Sequence, residues 1–310
     1  MKFRTIVSIL VVALVATAAT GVGKAENGKG KSAAPSGAGG NGKGAPHGDG
    51  ATPGKPSCNP SQVFENDEVA LWFQGHKEHV QVTNKNSTTG EGTYSYKSRE
   101  IREVDAANAT VRYMNVGRAF PQSSTCEIHD SAESAHMWLN VTDAVRNKHG
   151  GEAGSATVSF AWHFNKSDNG AKFDLLVFDW PWADATEGSG HRLAYEFTMT
   201  AGGALVLEPA SNGVGVRNTT GTPVGFVMWA PNATVTYANF TEKTANVTSN
   251  TTGGPNEVRV VLTFVDVEPG YVKLDYDPWV GVGKYVIVLD RLIALEPLLP
   301  SEARGLAHRL

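Results

Sequence analysis

The sequence predicts an all-β protein: an antiparallel β-sandwich or jelly-roll-like body preceded by an export leader and a linker. Three observations carry that expectation. Beyond Cys58 the apolar residues recur with a period of two, clusters of Gly, Asn, Asp, Ser and Pro separate the runs, and helical windows are scarce. Composition bounds the alternatives. Of 310 residues, 41% are hydrophobic and only two are cysteine. That is too apolar for a wholly disordered chain and too poor in cysteine for a disulfide scaffold.

The first eighteen residues read as a signal peptide. Lys2 and Arg4 precede a run without charge from Thr5 to Thr20, and Ala16-Thr17-Ala18 has the small-x-small form that a signal peptidase accepts. A retained N-terminal anchor is the other reading, since Thr5 to Gly23 approaches the length of a membrane helix. No second apolar stretch of that length follows, which argues against multi-span insertion. Residues 19–57 form a Gly/Lys/Pro-rich linker with nothing to bury, expected to be disordered. Its lysines suit either a solvated tether or contact with an anionic surface polymer. With leader and linker set aside, the body from residue 58 carries a charge of about −9 against −4 for the whole chain. An acidic body argues against nucleic acid as a partner.

The strands follow in order. Thr157 to Asn165 sets Val158, Phe160, Trp162 and Phe164 against Ser159, Ala161 and His163, one bulky face against one small or polar face. Similar runs are Val69 to Phe73, Thr93 to Glu100, Thr110 to Met114, His136 to Val141, Leu193 to Thr200, Val224 to Trp229, Ala233 to Phe240 and Val258 to Val267. Lys172 to Trp180 is apolar on both faces apart from Asp174 and Asp179, which predicts a central strand buried on both sides. Lys166 to Gly170 and Thr252 to Asn256 have hairpin-turn composition. Ser131 to Ala135 and Pro300 to Leu310 are the places for a short helix. Residues 58–310 are expected to form one domain; a split near Gly150 is the alternative, but no linker-like composition occurs there.

Nine Asn-x-Ser/Thr triplets occur, at Asn86, Asn108, Asn140, Asn165, Asn218, Asn232, Asn239, Asn246 and Asn250. About three would arise by chance, so the excess on an exported chain predicts N-glycosylation. Cys58 and Cys126 are expected to pair in an oxidising compartment, pinning the entering chain to the body.

Candidate chemistry is sparse. Phe178-Asp179-Trp180-Pro181-Trp182-Ala183-Asp184, followed by Glu187 and His191, combines aromatic rings that can stack on a pyranose with carboxylates that can hold hydroxyls. A rigid corner plugging the end of the sandwich is the structural alternative. Asp266, Glu268, Asp275 and Asp277 could hold calcium around a turn, or be solvated turn acids. His76 and His79, three apart, would point to opposite faces of a strand, poor geometry for one metal. His-Glu-x-x-His, Gly-x-Ser-x-Gly, phosphate-loop and dinucleotide motifs are all absent.

The expected function is therefore a secreted or surface-displayed, N-glycosylated, non-enzymatic protein with a structural or recognition role, located outside the cell or on its surface. Its partners would be surface glycans or cell-surface proteins, with no cofactor unless calcium. The competing expectation is a secreted carbohydrate-binding or carbohydrate-active protein that uses the Asp179–Asp184 cluster.

Overall fold

The computed structural model describes residues 61–74, 79–87, 92–117, 124–186, 189–267, 269–288 and 290–294. The expected leader, the linker, His76, Glu187, Glu268 and the C-terminal helix lie outside the described residues. So does the expected disulfide: Cys58 is not among them, and Cys126 is described by its backbone alone.

All-β is the observed class. In chain order the strands are β1 (Ser61–Glu65), β2 (Val69–Gln74), β3 (His79–Asn84), β4 (Thr93–Val104), β5 (Thr110–Met114), β6 (Ser124–Asp130) and β7 (Ser134–Asn147). There follow β8 (Glu152–Asn165), β9 (Gly170–Phe178), β10 (Arg192–Ala201), β11 (Leu205–Ala210), β12 (Gly213–Asn218), β13 (Pro223–Met228) and β14 (Asn232–Tyr237). The last are β15 (Glu242–Gly253), β16 (Glu257–Val265), β17 (Tyr271–Tyr276), β18 (Trp279–Val282), β19 (Tyr285–Val288) and β20 (Arg291–Ala294).

All pairings among them are antiparallel and resolve into two walls. One runs β6–β7–β8–β9–β18–β13–β12–β11. The other runs β1–β2–β3–β4–β10–β16–β15–β14–β17. The walls join where β17 pairs with β9 and where β5 bridges β4 and β7, so the ladder closes into a circuit. Closure leaves fewer free edges and encloses one core.

Aromatic rings fill the space between the walls. Trp162 of β8 stacks on Phe173 of β9 at 4.5 Å, and Phe73 of β2 meets Trp162 edge-on at 5.1 Å. Tyr96 of β4 lies 5.3 Å from Phe173 and 4.9 Å from Phe197 of β10. Val158, Phe160, Trp162 and Phe164, the bulky face read from the sequence, are all fully buried. Burying each such side chain contributes about 2 kcal/mol, and offset or edge-on ring pairs add to it.

Two local expectations are corrected. Ser131 to Ala135 is the β6–β7 hairpin turn and the start of β7, closed by the Ser131 hydroxyl on the Ser134 carbonyl (2.9 Å), and not a helical turn. β9 is not buried on both faces. Phe173, Leu175 and Val177 point into the core, whereas Lys172, Asp174, Leu176 and Phe178 lie half-buried on the outward face. The residues around Gly150 form the turn of the β7–β8 hairpin, whose register runs from Ser134 opposite Asn165 to Arg146 opposite Glu152.

The outward face of the first wall is divided. Over β12 and β13 it is capped by the β19–β20 hairpin, whose Tyr285 and Leu292 pack with Ala210 and Phe226 in a small second core. The Tyr285 ring rests directly on Gly215, where any side chain would collide with it. Over β6–β9 the outward residues run from buried (Ser159, Ala161) through half-buried (His136, Trp138, His163, Lys172) to exposed (Asn140, Asn165).

Candidate functional site

Register places the outward residues of five strands in rows. His129, His136, His163, Lys172 and Trp279 stand opposite one another across β6, β7, β8, β9 and β18. The next row holds Glu127, Trp138, Ala161 and Asp174, and the same register continues to Asp277 between β17 and β18. The adjoining row on the other side holds Ser134, Asn165, Gly170, Gly281 and Phe226.

Gly170 and Gly281 leave the middle of that row empty. A Cβ on Gly170 would fall 2.7 Å from the Val280 carbonyl oxygen, and one on Gly281 would fall 3.2 Å from the Phe226 ring and the Asn169 carbonyl. The strands therefore approach closely where neither residue has a side chain. The resulting cleft measures about 230 Å³ and lies between Ser134 and Asn165, Phe226, and the His136, His163, Lys172 and Trp279 row. Beneath its floor the buried Tyr94 hydroxyl shares its proton between the carbonyls of Gly281 (2.6 Å) and Phe226 (2.9 Å), tying the second wall to the first.

A polar chain runs along the cleft wall. Lys172 Nζ lies 2.8 Å from Asp277 and 3.3 Å from Asp174. His163 Nε2 is 3.0 Å from Asp174 Oδ2, and the Nδ1 atoms of His163 and His136 are 2.9 Å apart. An ionised Asp174 accepts, so His163 Nε2 donates. When His163 is neutral its Nδ1 accepts from His136, which leaves His136 Nε2 as an acceptor. Trp138 stacks on His136 (5.7 Å, 18°), and His129 meets Trp138 edge-on at 5.5 Å.

Burial pushes Asp174 up, but the His163 hydrogen bond and the Lys172 ammonium outweigh it and hold the carboxyl below its ordinary range. Asp277 goes the other way. Burial, together with repulsion from Asp174 and Asp275, raises it to about 6 against the pull of Lys172. Lys172 is pushed down by burial and more than restored by Asp277 and Asp174. His136 is lowered by burial and by the neighbouring His163. Two buried polar atoms at the cleft, Asn169 Oδ1 and Trp279 Nε1, have no hydrogen-bond partner among the described residues. Unmet buried groups are costly and few in folded proteins.

Of the acidic residues singled out in the sequence, Asp277 is brought to Lys172, which lines the cleft, without lining it itself. Asp275 is one rung away and paired with Lys273 (3.0 Å), and Asp266 accepts from Asn246 (3.2 Å). The positive charge between Asp174 and Asp277 is the Lys172 ammonium, and among the described residues no group of three or more His, Cys, Asp or Glu is placed to hold a metal.

The Asp179–His191 loop is organised around a residue that the motif did not include. Glu103 is fully buried and accepts from Trp180 Nε1 (3.2 Å), Ala183 N (3.0 Å) and His191 Nδ1 (2.5 Å). Trp180 is only 4% exposed, so it has no ring face to offer a ligand. Trp182 is half-buried against Tyr271 at 6.1 Å. Asp179 is exposed with φ +53°, and Asp184 is exposed and accepts from Thr186 N (2.9 Å). None of the nine triplet asparagines is buried.

Trp138, His136, His163, Lys172 and Trp279 belong to none of the sequence motifs. The available signal was weak: polar or aromatic residues at the outward positions of alternating strands, each ordinary by itself.

No family model matches the chain, and no curated protein matches it. Among solved structures, it is similar to an α-mannosidase from Enterococcus faecalis V583 (10% identity, TM-score 0.37), over 71% of this chain and 29% of that one. It is also similar to a protein in glycosyl hydrolase family 38 from Enterococcus faecalis (11% identity, TM-score 0.38), over 75% of this chain and 31% of that one. The chain thus spans under a third of the length of these two proteins.

Proposed function

We propose that this chain is an exported recognition domain that binds a carbohydrate-class ligand in the outward cleft beside Gly170 and Gly281. The observation that carries the reading is the cleft itself. A volume of about 230 Å³ suits one sugar ring more than a drug-sized molecule, for which pockets run from roughly 300 Å³ upward. Its wall combines the Lys172 cation, the Asp168 carboxylate, an imidazole acceptor and an indole, the mixture that pairs with hydroxyls and stacks on a pyranose face. Asn169 Oδ1 and Trp279 Nε1 are further groups that a hydroxyl-bearing ligand could engage after small rearrangements.

The role we assign is binding: Lys172 is held between Asp174 and Asp277 by ion pairs, and the chain ends on a single imidazole. The leader, the linker and the surface triplets favour a location outside the cell. A panel of neutral and acidic monosaccharides titrated against intrinsic tryptophan fluorescence tests the reading. Saturable binding is expected, with Trp279→Ala weakening it at least tenfold, about 1.4 kcal/mol. A flat response to every sugar, or unchanged affinity in Trp279→Ala, would refute it.

A further inference from the structure

Four hairpin turns among the described residues share one geometry. In 105–109, 147–151, 218–222 and 237–241 the first residue's N–H donates to the fifth residue's carbonyl at 2.9–3.0 Å, and the fourth residue's N–H returns to the first carbonyl at 2.8–3.0 Å. Each puts its fourth residue in the left-handed region: Asn108 (φ 62°), Gly150 (φ 103°), Gly221 (φ 84°) and Phe240 (φ 61°). Asparagine and glycine are the ordinary occupants of such a position, whereas a bulky side chain there is strained. Phe240 is also 78% exposed, the most exposed large hydrophobic residue among those described. It thus combines a backbone cost with an exposed ring. An outlier of this kind points to something outside the chain's own packing.

The neighbouring residue supplies a candidate. Asn239 belongs to the triplet Asn239-Phe240-Thr241, and its Oδ1 accepts from Thr241 N (3.0 Å) and the Thr241 hydroxyl (2.6 Å). Both bonds use the oxygen, so the amide nitrogen, to which a glycan is joined, carries neither.

We infer that Asn239 carries an N-linked glycan whose first sugars pack on Phe240, and that this contact offsets the strain and exposure of that residue. The attachment transfers a glycosyl group from a lipid-linked sugar phosphate. The bond from the anomeric carbon to the phosphate oxygen breaks, and a bond from that carbon to Asn239 Nδ2 forms. One amide proton leaves, and the lipid phosphate is released. Pyranose C–H faces on an aromatic ring supply the packing.

The test is a thermal cycle on the full chain made in its native cells, after glycopeptide mass spectrometry of Asn239. Phe240→Gly is measured in the wild-type background and in Asn239→Gln. Without the glycan, glycine relieves the left-handed strain, and the melting temperature should rise by about 2 °C. With the glycan, the same substitution removes the sugar's platform, and the melting temperature should fall. Opposite signs support the inference. An unmodified Asn239, or the same sign in both backgrounds, overturns it.

Discussion

Two regions of this molecule pair tryptophan with carboxylates, and they differ in where their polar groups are directed. In the Asp179–His191 loop everything converges inward on Glu103, which holds an indole, a backbone amide and an imidazole with no exposure of its own. In the cleft the chain from Asp277 through Lys172, Asp174 and His163 to His136 lies along the surface, and Asn169 and Trp279 are left with unmet atoms. An aromatic and acidic composition therefore does not distinguish a structural plug from a binding surface. What distinguishes them is whether the hydrogen bonds close within the protein.

The largest expected effect falls on the loop. Glu103→Ala removes a buried acceptor from the buried Trp180 indole, the half-buried His191 ring and the Ala183 amide, and should cost about 3 kcal/mol of stability by urea denaturation. If the loop is purely structural, ligand affinity of the folded protein stays unchanged, and a lost affinity would blur the contrast.

Gly281→Ala probes the cleft with little else disturbed. Its Cβ enters at 3.2 Å from Phe226 and the Asn169 carbonyl, tight but near tolerance. Calorimetric titration should show affinity reduced about tenfold, with a stability loss of roughly 1 kcal/mol.

The smallest effect is a pH dependence. Asp277 is raised in the folded state, so its contribution to stability is fully present below its unfolded value near 4 and is lost as pH rises through about 6. Asp174 is lowered and acts oppositely, its contribution failing only as pH drops below the ordinary carboxylate range. Asp277→Asn should therefore gain on wild type between pH 4 and 7, by no more than about 1 kcal/mol because the side chain is 42% exposed. Melting curves across that window check it.

Much of the fold was legible because period-two alternation is a property of each strand alone. Thr110 to Met114 and Thr157 to Asn165 needed nothing beyond their own residues. The expected runs leave out β11, β12 and β18, where glycines or prolines interrupt the pattern, and also β1, β3, β6, β15, β17, β19 and β20, most of them too short or too polar to stand out alone. The site was hidden for a different reason. His136 and His163 are 27 residues apart and Lys172 and Asp277 more than a hundred, and only the register of β7, β8, β9 and β18 sets them side by side. Trp180 looked available because Glu103, which takes its N–H, lies 77 residues earlier.

The most direct measurement compares monosaccharide binding by calorimetry in wild type, Gly281→Ala and Trp182→Ala. The account predicts saturable binding in wild type, about tenfold weaker binding on filling the cleft, and unchanged affinity when the loop tryptophan is removed. Affinity unchanged in Gly281→Ala and lost in Trp182→Ala would contradict it.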